Sequence, residues 1–317
     1  MDVLTKIENI LERDDNFLVI SHLDPDGDAI GSMFGMGYIL KYLNKKFSIF
    51  IPSGIPEKFA WLPSPGGVIS HLKGDRYDWI IFLDCSDKSR VGDSLELLSS
   101  QAKIINIDHH ADNTFFGDIN WVDTNKSSVG EMVGMIAQTF NVSFKGGLAE
   151  PLFLAIVSDT GSFSYGNTSA SCLRFAAEIL EEGLDLNKFT ANFSRQWSIN
   201  KAHLHGFALV NSKLELGGKV GVIKVSQSML DAANAKVEDC EGLVNYMRQI
   251  RDVLVAVSIR EEKDRIKFSL RSWGEVDVQK IASKLGGGGH PNAAGGSLSC
   301  SLNEAEQIIL KTIERYL

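Results

Sequence analysis

Apolar runs that end in histidine or aspartate set the pattern of the first half of this sequence. Run 79–84 (WIIFLD) ends in Asp84, run 104–108 (IINID) ends in Asp108, and run 17–21 (FLVIS) is followed at once by His22. Short, largely apolar runs are typical of strands that are buried on both faces of a parallel sheet. Segments with helical periodicity separate or follow them, so we predict a doubly wound parallel α/β domain. The predicted strands are 17–21, 47–51, 79–84, 104–108 and 118–122, and the predicted helices are 29–43, 128–140, 148–157 and 171–182.

The pattern changes in the last third of the chain. Gly183 marks the end of a helix, and the polar stretch that follows it has helical spacing and no strand. Beyond this stretch we predict strands at 220–225, 253–260 and 265–271, and helices at 241–251, 278–285 and 303–316. A chain of 317 residues is also long for a single hydrophobic core. We therefore predict three parts: a larger α/β domain at 1–185, a helical connector at 186–206 and a smaller α/β domain at 207–317.

Two S-x-x-E pairs predict where helices begin. Ser128 pairs with Glu131, and Ser301 pairs with Glu304. In a capping box the serine accepts from the backbone N–H three residues later, and the glutamate reaches back to the N–H of the serine. Each pair therefore predicts a helix that starts just after its serine.

Composition excludes several classes of protein. Lys and Arg number 32 against 40 Asp and Glu, a formal net charge of −8, and an acidic chain lacks the basic surface that binds long nucleic acid. No apolar run is as long as a membrane span, and the N-terminus has mixed charges at helical spacing, unlike a secretory signal. Without a CxxC pair, neither a disulfide framework nor a cysteine-rich zinc site is expected, and we predict a reducing, cytoplasmic location. The cysteines are Cys85, Cys172, Cys240 and Cys300.

Acidic and imidazole side chains cluster directly after the predicted strands. Any one of these acids would also suit a turn or a helix cap. Because the carboxyl ends of parallel strands meet at one edge of the sheet, however, we expect all of them to lie close together. So many carboxylates would repel each other unless cations bridged them. The residues are His22, Asp26, Asp28, Asp84, Asp108, His109, His110 and, at the end of an apolar helix, Asp159.

This mixture of oxygen and nitrogen ligands predicts a site for two metal ions. Imidazole ligands favour Mn²⁺, Co²⁺ or Zn²⁺ over Mg²⁺, which prefers oxygen and water. Two such ions about 3.5–4 Å apart are a standard arrangement for in-line attack of activated water on phosphorus. Neither a phosphate-binding GxxxxGK[ST] loop nor a serine nucleophile motif occurs in the sequence.

A glycine-rich run lies near the C-terminus, where residues 286–296 read GGGGHPNAAGG. We predict a loop whose backbone N–H groups approach an anion, because glycine has no side chain to block it. A flexible linker is the alternative. Upstream, Arg271 could form a forked pair with a phosphate, although a solvent-exposed arginine at a strand end is the alternative there.

These motifs, in the order in which they occur along the chain, resemble those of the DHH phosphoesterase superfamily. The superfamily is named for the triplet found here at Asp108-His109-His110. The first motif, which includes Gly31 and Ser32, and the motifs at Asp84 and Asp159 occur in the order of the family. The glycine-rich run is similar to that of the DHH-associated C-terminal domain. In its length and in its second domain, the chain is most similar to the oligoribonuclease/pAp-phosphatase (nano-RNase) group. Manganese-dependent pyrophosphatases lack this ending, and RecJ-like exonucleases carry an additional domain.

The resemblance implies a role for each matched residue. Asp84 would bridge two metal ions and, with His110, form the catalytic pair, since His110 would face the scissile phosphate. Asp108 would orient a ligand histidine. The active site would lie in the cleft between a catalytic and a substrate-binding domain. One metal ion would be held by His22, Asp26 and Asp84, the other by Asp28, Asp84, His109 and Asp159, and substrate would be bound by His110, Arg271, Ser272, Gly287, Gly288, Gly289 and His290.

The resemblance also implies an activity. The protein would be a phosphoesterase with two divalent metal ions, manganese favoured and cobalt or magnesium as alternatives, that acts by attack of an activated hydroxide. It would hydrolyse short single-stranded oligoribonucleotides to 5′-mononucleotides, and 3′-phosphoadenosine 5′-phosphate (pAp) to AMP and phosphate. Long duplex nucleic acid and membranes are not expected partners, and a homodimer is allowed. Two alternatives stay open: a RecJ-like exonuclease on longer single strands, and a non-catalytic sensor of a dinucleotide.

Overall fold

A computed structural model describes residues 2–72, 74, 76–94, 102–195 and 197–317 of the chain. Its contacts divide the chain into two compact units, Met1–Arg195 and Gln196–Leu317. The division falls within the stretch predicted as a helical connector, and that stretch is helical on both sides of it. We call these the N-terminal and the C-terminal unit.

The N-terminal unit is built on a six-stranded sheet in the order β3-β2-β1-β4-β5-β6. Every pair of neighbouring strands is parallel, which confirms the predicted parallel sheet. Strand order reverses between β1 and β4, so the carboxyl ends of these two strands flank the crevice where open α/β sheets bind ligands. The strands are β1 Asn16–Ile20, β2 Lys46–Phe50, β3 Val68–Ile69, β4 Trp79–Leu83, β5 Lys103–Asp108 and β6 Ile119–Val122.

Helices cover one face of this sheet and form the larger hydrophobic core. Phe17, Val19 and Ile81 contribute to it from the strands, with Phe34 and Leu152 from the helices. On the other face a smaller cluster surrounds Phe82. The helices are α1 Val3–Arg13, α2 Gly27–Tyr42, α3 Val129–Thr139, α4 Ala149–Asp159, α5 Ala170–Glu181 and α6 Leu186–Ser194.

Helices α2 and α4 approach each other so closely that one position between them must be glycine. A Cβ atom on Gly31 would lie 2.3 Å from the carbonyl oxygen of Pro151, a separation that real structures do not tolerate. Helix α3 contacts both α2 and α4. This packing brings the first turn of α2, the start of α3 and the end of α4 together at the edge of the sheet.

The C-terminal unit contains a mixed six-stranded sheet in the order β11-β12-β10-β9-β8-β7. Only β8 and β9 pair in parallel, and the other neighbours are antiparallel. One hydrophobic cluster includes Val257, Phe268 and Ile281, and the other includes Leu204, Ile223 and Met247. The strands are β7 Lys213–Glu215, β8 Val220–Val225, β9 Val255–Glu262, β10 Arg265–Ser272, β11 Gly288–His290 and β12 Ala293–Leu298, and the helices are α7 Ile199–Val210, α8 Gln227–Ala233, α9 Leu243–Arg248, α10 Val278–Lys284 and α11 Leu302–Ile313.

The glycine-rich run is not the loop that we predicted. Gly288–His290 forms β11, which pairs antiparallel with β12, so that Gly289 lies opposite Ala294. The backbone of Gly289 has a φ of 135°, and a Cβ atom there would lie 2.5 Å from the carbonyl oxygen of Ala293. A Cβ atom on Gly287 would lie 2.1 Å from the carbonyl oxygen of Gly295. Close strand packing therefore requires these two glycines, whatever they bind.

No helix in the described part of the chain is both long and apolar enough to cross a membrane.

Candidate active site

The loop after β1 leads into the first turn of α2 and presents one histidine and two aspartates. Asp26 is the N-cap of α2, and its Oδ1 accepts from the N–H groups of Asp28 (3.0 Å) and Ala29 (3.1 Å). A carboxylate is stabilised at this position by unpaired backbone donors and by the helix dipole. Asp26 remains exposed, whereas Asp28 is buried. The two acids therefore reach the site from one turn but differ in their access to water.

Asp28 is held by the start of α3. Its two oxygens accept from the N–H groups of Val129 (2.7 Å) and Gly130 (2.9 Å), and the Ser32 hydroxyl also donates to it (2.9 Å). Burial, together with the nearby Asp84, Asp159 and Asp26 carboxylates, raises the pKa of Asp28 well above its usual value. Such repulsion within a buried acidic cluster is relieved by a cation.

Asp84 lies at the centre of the site. It follows β4, its side chain is 3% exposed, and its carboxylate is 3.7 Å from His22 Nε2, 3.7 Å from His109 Nε2 and 3.5 Å from His110 Nδ1. Burial alone would raise the pKa of Asp84, but the surrounding histidines hold it far below its usual range. Its backbone has a φ of 55°, a left-handed conformation that aspartate and asparagine adopt more readily than other residues with a Cβ atom. The carboxylate lies among all three imidazoles.

His109 follows β5 and is oriented by a backbone carbonyl. Its Nδ1 lies 3.2 Å from the carbonyl oxygen of Lys126, which can only accept, so Nδ1 carries the proton. Its Nε2 lies 3.8 Å from Asp28, 3.7 Å from Asp84 and 3.5 Å from Asp159. In the neutral ring Nε2 therefore presents its lone pair toward three carboxylates, which is the arrangement of a metal-ligating histidine.

Asp108 contacts both histidines of the triplet. Its Oδ1 accepts from the backbone N–H of His109 at 2.9 Å and also lies beside the ring of His110, so its role in orienting a ligand histidine stays a prediction. Asp108 Oδ1 lies 2.7 Å from His110 Nδ1, and Oδ2 accepts from Asn113 Nδ2 at 2.6 Å. Burial opposes the charged form of His110, but the hydrogen bond to Asp108 and the charge of Asp84 raise its pKa to about 9. The hydrogen bond to Asp108 therefore favours the charged form of His110.

Asp159 reaches the site from the C-terminal end of α4. Burial and the neighbouring Asp84 and Asp26 raise its pKa to about 7, although His109 acts in the opposite direction. The Asn167 amide lies beside it and donates to the carbonyl oxygens of Asp159 (3.1 Å) and Ser127 (3.0 Å). Asn167 thus ties the end of α4 to the segment that precedes α3.

Asp84 belongs to three groups of side chains that could each hold a metal ion. In each group the candidate ligand atoms lie within 4.8 Å of one another. The first consists of His22, Asp26 and Asp84, and the second of Asp28, Asp84 and His109, with Asp159 beside His109. The third is Asp84, Asp108 and His110, in which Asp108 and His110 already bond each other. All eight acidic and imidazole residues that the sequence indicated are thus brought to this edge of the sheet.

In the C-terminal unit the predicted substrate-binding residues lie on or next to β10 and β11, which β12 separates in the sheet. Arg271 and Ser272 end β10, and His290 ends β11. Leu270 and Ser272 are buried whereas Arg271 is only half-buried, so Arg271 points to the opposite face from Ser272. The Ser272 hydroxyl instead contacts Asn292 (3.4 Å). Gly288 is exposed, and a side chain at that position would have no neighbour within 4 Å.

Sequence reasoning missed three groups that support the site: the Lys126 carbonyl, Asn113 and Asn167. Asn113 donates to Asp108 and to Asn106 (2.8 Å). Its position three residues after the triplet was a usable signal, since asparagine is rarely buried without hydrogen bonds. The Lys126 carbonyl had no signal, because every residue carries the same backbone group.

Comparison with known proteins gives both units a family. Residues 16–156 match the model of the DHH family N-terminal domain. Residues 217–317 match the model of the DHHA1 domain. The motif residues His22, Asp84, His109 and Asp28 all lie within the first match, and Arg271 and His290 lie within the second.

Full-length relatives extend this result. A protein of Thermus thermophilus named bifunctional oligoribonuclease and PAP phosphatase NrnA is 32% identical, covering 94% of this chain and 89% of the relative. A Bacillus subtilis protein of the same name is 29% identical over 96% of both chains. The crystal structure of an exopolyphosphatase-related protein from Bacteroides fragilis has a TM-score of 0.91 at 26% identity, covering 99% of this chain and 96% of that one. The chain therefore belongs to the DHH family of phosphoesterases.

Proposed function

We propose that this protein is a metal-dependent hydrolase that cleaves short oligoribonucleotides to 5′-mononucleotides and converts pAp to AMP and phosphate. The observation that carries the proposal is Asp84, a buried carboxylate shared by two groups of metal ligands. A shared carboxylate holds two cations close together, as in-line displacement at phosphorus requires. The names of the relatives from Thermus thermophilus and Bacillus subtilis supply the two substrates.

The donor set of this site fits two divalent cations. His22, Asp26 and Asp84 would hold one, and Asp28, Asp84, His109 and Asp159 the other. Imidazole ligands disfavour Mg²⁺ relative to transition metals, and the family resemblance favours Mn²⁺ among the ions considered, with Co²⁺ or Mg²⁺ as alternatives. Bound there, the ions would activate a water molecule and neutralise the charge that develops on the phosphoryl oxygens.

Residues of the chain would then bind and orient the substrate. His110, fixed by Asp108, would donate to the scissile phosphate, where developing negative charge is best stabilised by a preorganised donor. Arg271, His290 and the backbone of Gly287, Gly288 and Gly289 would bind the far phosphate or nucleotide. Ser272 would support this group from the buried side through Asn292 rather than touch the substrate.

We propose short substrates because an acidic chain binds long nucleic acid poorly. A formal net charge of −8 opposes the binding of a long polyanion, whereas a few local donors suffice for one or two phosphates.

A cytoplasmic location and a homodimer remain predictions from the sequence.

A turnover assay tests the proposal directly. The purified protein is incubated with Mn²⁺ and, separately, a 5′-phosphorylated diribonucleotide, pAp and a 24-nucleotide RNA, each with and without a chelator. We expect metal-dependent loss of both small substrates and little loss of the long RNA. Efficient digestion of the long RNA would indicate a RecJ-like exonuclease. Tight dinucleotide binding without turnover under any divalent cation would indicate a sensor.

A further inference from the structure

Glu131 does not make the capping box that its sequence position predicts. The Ser128 hydroxyl accepts from the Glu131 N–H (3.2 Å), which is half of the box. The Glu131 carboxylate turns instead to the preceding residues and accepts from both the N–H (3.0 Å) and the hydroxyl (2.8 Å) of Ser127. At Ser301 and Glu304 the same motif forms the complete box. The different outcome at Glu131 calls for a physical explanation.

The Glu131 carboxylate is buried and accepts from four donors. Besides the two from Ser127, it accepts from the Lys126 ammonium (3.3 Å) and from the Ser171 hydroxyl (3.0 Å). Residue Glu131 is 3% exposed and Ser127 is fully buried. Burying a carboxylate is costly unless it is paired and hydrogen-bonded, and these donors satisfy that condition. The result is a rigid anchor for residues 126 and 127.

The anchored segment contacts ligands of one proposed metal ion. The Lys126 carbonyl accepts from His109 Nδ1, and the Ser127 carbonyl accepts from Asn167, which also donates to Asp159. The next residues, Val129 and Gly130, donate to Asp28. Lys126, Val129 and Gly130 therefore contact two of the four ligands of the second ion directly, and Ser127 is linked to a third, Asp159, through Asn167. Within the described part of the chain, this segment makes no hydrogen bond to His22 or Asp26, the two residues that would hold only the first ion.

We propose that Glu131 is a positioning residue for the second metal site, that of Asp28, Asp84, His109 and Asp159. This inference rests on the proposed function, because it presupposes that the site binds metal. By fixing the Lys126 and Ser127 carbonyls, Glu131 fixes the tautomer of His109 and the position of Asp159. Loss of Glu131 weakens the second site and spares the first.

The experiment is a titration of the metal-free protein with Mn²⁺, following free Mn²⁺ by electron paramagnetic resonance. The proteins compared are the wild type, Glu131→Ala, Glu131→Gln and Glu178→Gln. Glu178 is a matched control: it is half-buried and accepts a hydrogen bond from Gln138 at the far end of α3, whereas the hydrogen bonds of Glu131 go to Lys126, Ser127 and Ser171. We expect two sites in the wild type and in Glu178→Gln. In Glu131→Ala one site weakens by about 10- to 100-fold while the other stays within about twofold.

Kinetics separate positioning from loss of fold. In Glu131→Ala we expect turnover at low Mn²⁺ to fall and to recover as Mn²⁺ is raised, with the KM for pAp unchanged at saturating metal. A partly unfolded population would instead lower activity at every Mn²⁺ concentration. If Glu131→Ala does not fold, Glu131→Gln decides: its amide oxygen can still accept from Ser127 but no longer pairs with the Lys126 charge, so we expect a weakening of a few-fold at the same site.

The outcomes distinguish the two proposals. Unchanged Mn²⁺ affinity at both sites in the Glu131 variants, or equal weakening of both sites, overturns the positioning role. A wild-type protein that binds no Mn²⁺ and shows no turnover overturns the proposed function itself.

Discussion

The strand ends of the N-terminal unit and the glycine-rich run of the C-terminal unit were equally conspicuous in the sequence, yet only the first folded as its motif suggested. The acids and histidines after β1, β4 and β5 gather around Asp84. The run around Gly288, expected to be an open loop, pairs with β12 as a strand.

The difference shows how much other structure each motif needs. Side chains at the ends of parallel strands are brought together by the sheet itself, since all such ends lie on one edge. A glycine has several uses: it can expose its backbone to an anion, adopt a positive φ or allow two chains to approach closely. The sequence alone does not distinguish these uses. Here Gly289 serves the close approach, whereas Gly288 is open to solvent.

The largest effect should come from replacing Asp84, the residue on which the strand-end interpretation depends. We expect Asp84→Asn to lower kcat by about a thousandfold or more, because it removes a charged ligand from both metal groups, worth several kcal/mol. Asparagine tolerates the left-handed backbone that alanine would strain, so the variant should fold. The measurement is pAp turnover, with Asp24→Asn, an exposed acid in the loop after β1, as control. Retention of most activity would refute the shared-ligand site.

Arg271 tests whether the C-terminal unit binds substrate at all. We expect Arg271→Ala to raise the KM for pAp by about 10- to 100-fold, since hydrogen bonds to charged groups contribute about 1.5–3 kcal/mol. Metal content and kcat should stay near wild type. Arg265→Ala, at the other end of β10, is the matched control, because Arg265 is exposed and pairs with Glu262. If both variants have the same KM as the wild type, Arg271 has no part in substrate binding.

Gly289 tests the strand pairing of the glycine-rich run. A Cβ atom there would meet the Ala293 carbonyl, and its φ of 135° disfavours any side chain. We therefore expect Gly289→Ala to destabilise the β11–β12 pair by about 1–3 kcal/mol. Hydrogen exchange of the amides in these two strands measures the effect. Protection equal to that of the wild type would mean that the run is a loop after all.

Replacing Gly288 should have the smallest effect, and it best separates a role in packing from a role in substrate binding. Nothing lies within 4 Å of a Cβ atom there, so Gly288→Ala should leave the free energy of unfolding unchanged. If its backbone N–H contacts a phosphate, the methyl group should raise KM by about two- to tenfold, the contribution of one hydrogen bond. An unchanged KM would leave the glycine-rich run with a structural role only.

Several elements were predicted with bounds at or near those observed, and the shortest ones were missed. Strand β8 was predicted with its observed bounds, Val220–Val225. The helix predicted at 241–251 is shorter, Leu243–Arg248, because Gly242 adopts a φ of 90° and the preceding turn is of 3-10 type. Strand β3, of two residues, and helix α8, of seven, were missed, since so few residues carry too little of a repeat to be detected.

The sequence by itself determined which side chains reach the edge of the parallel sheet. Apolar runs specify where buried strands end, and the residues that follow a strand end must emerge there, as His22, Asp84 and His109 do. Tertiary structure alone decided how those side chains are held. The Lys126 carbonyl orients His109, and the Glu131 carboxylate accepts from Ser127 rather than from the backbone N–H of Ser128, the N-cap of its helix. The physical reason is that backbone groups are the same in every residue, so their partners depend on which distant segments packing brings together.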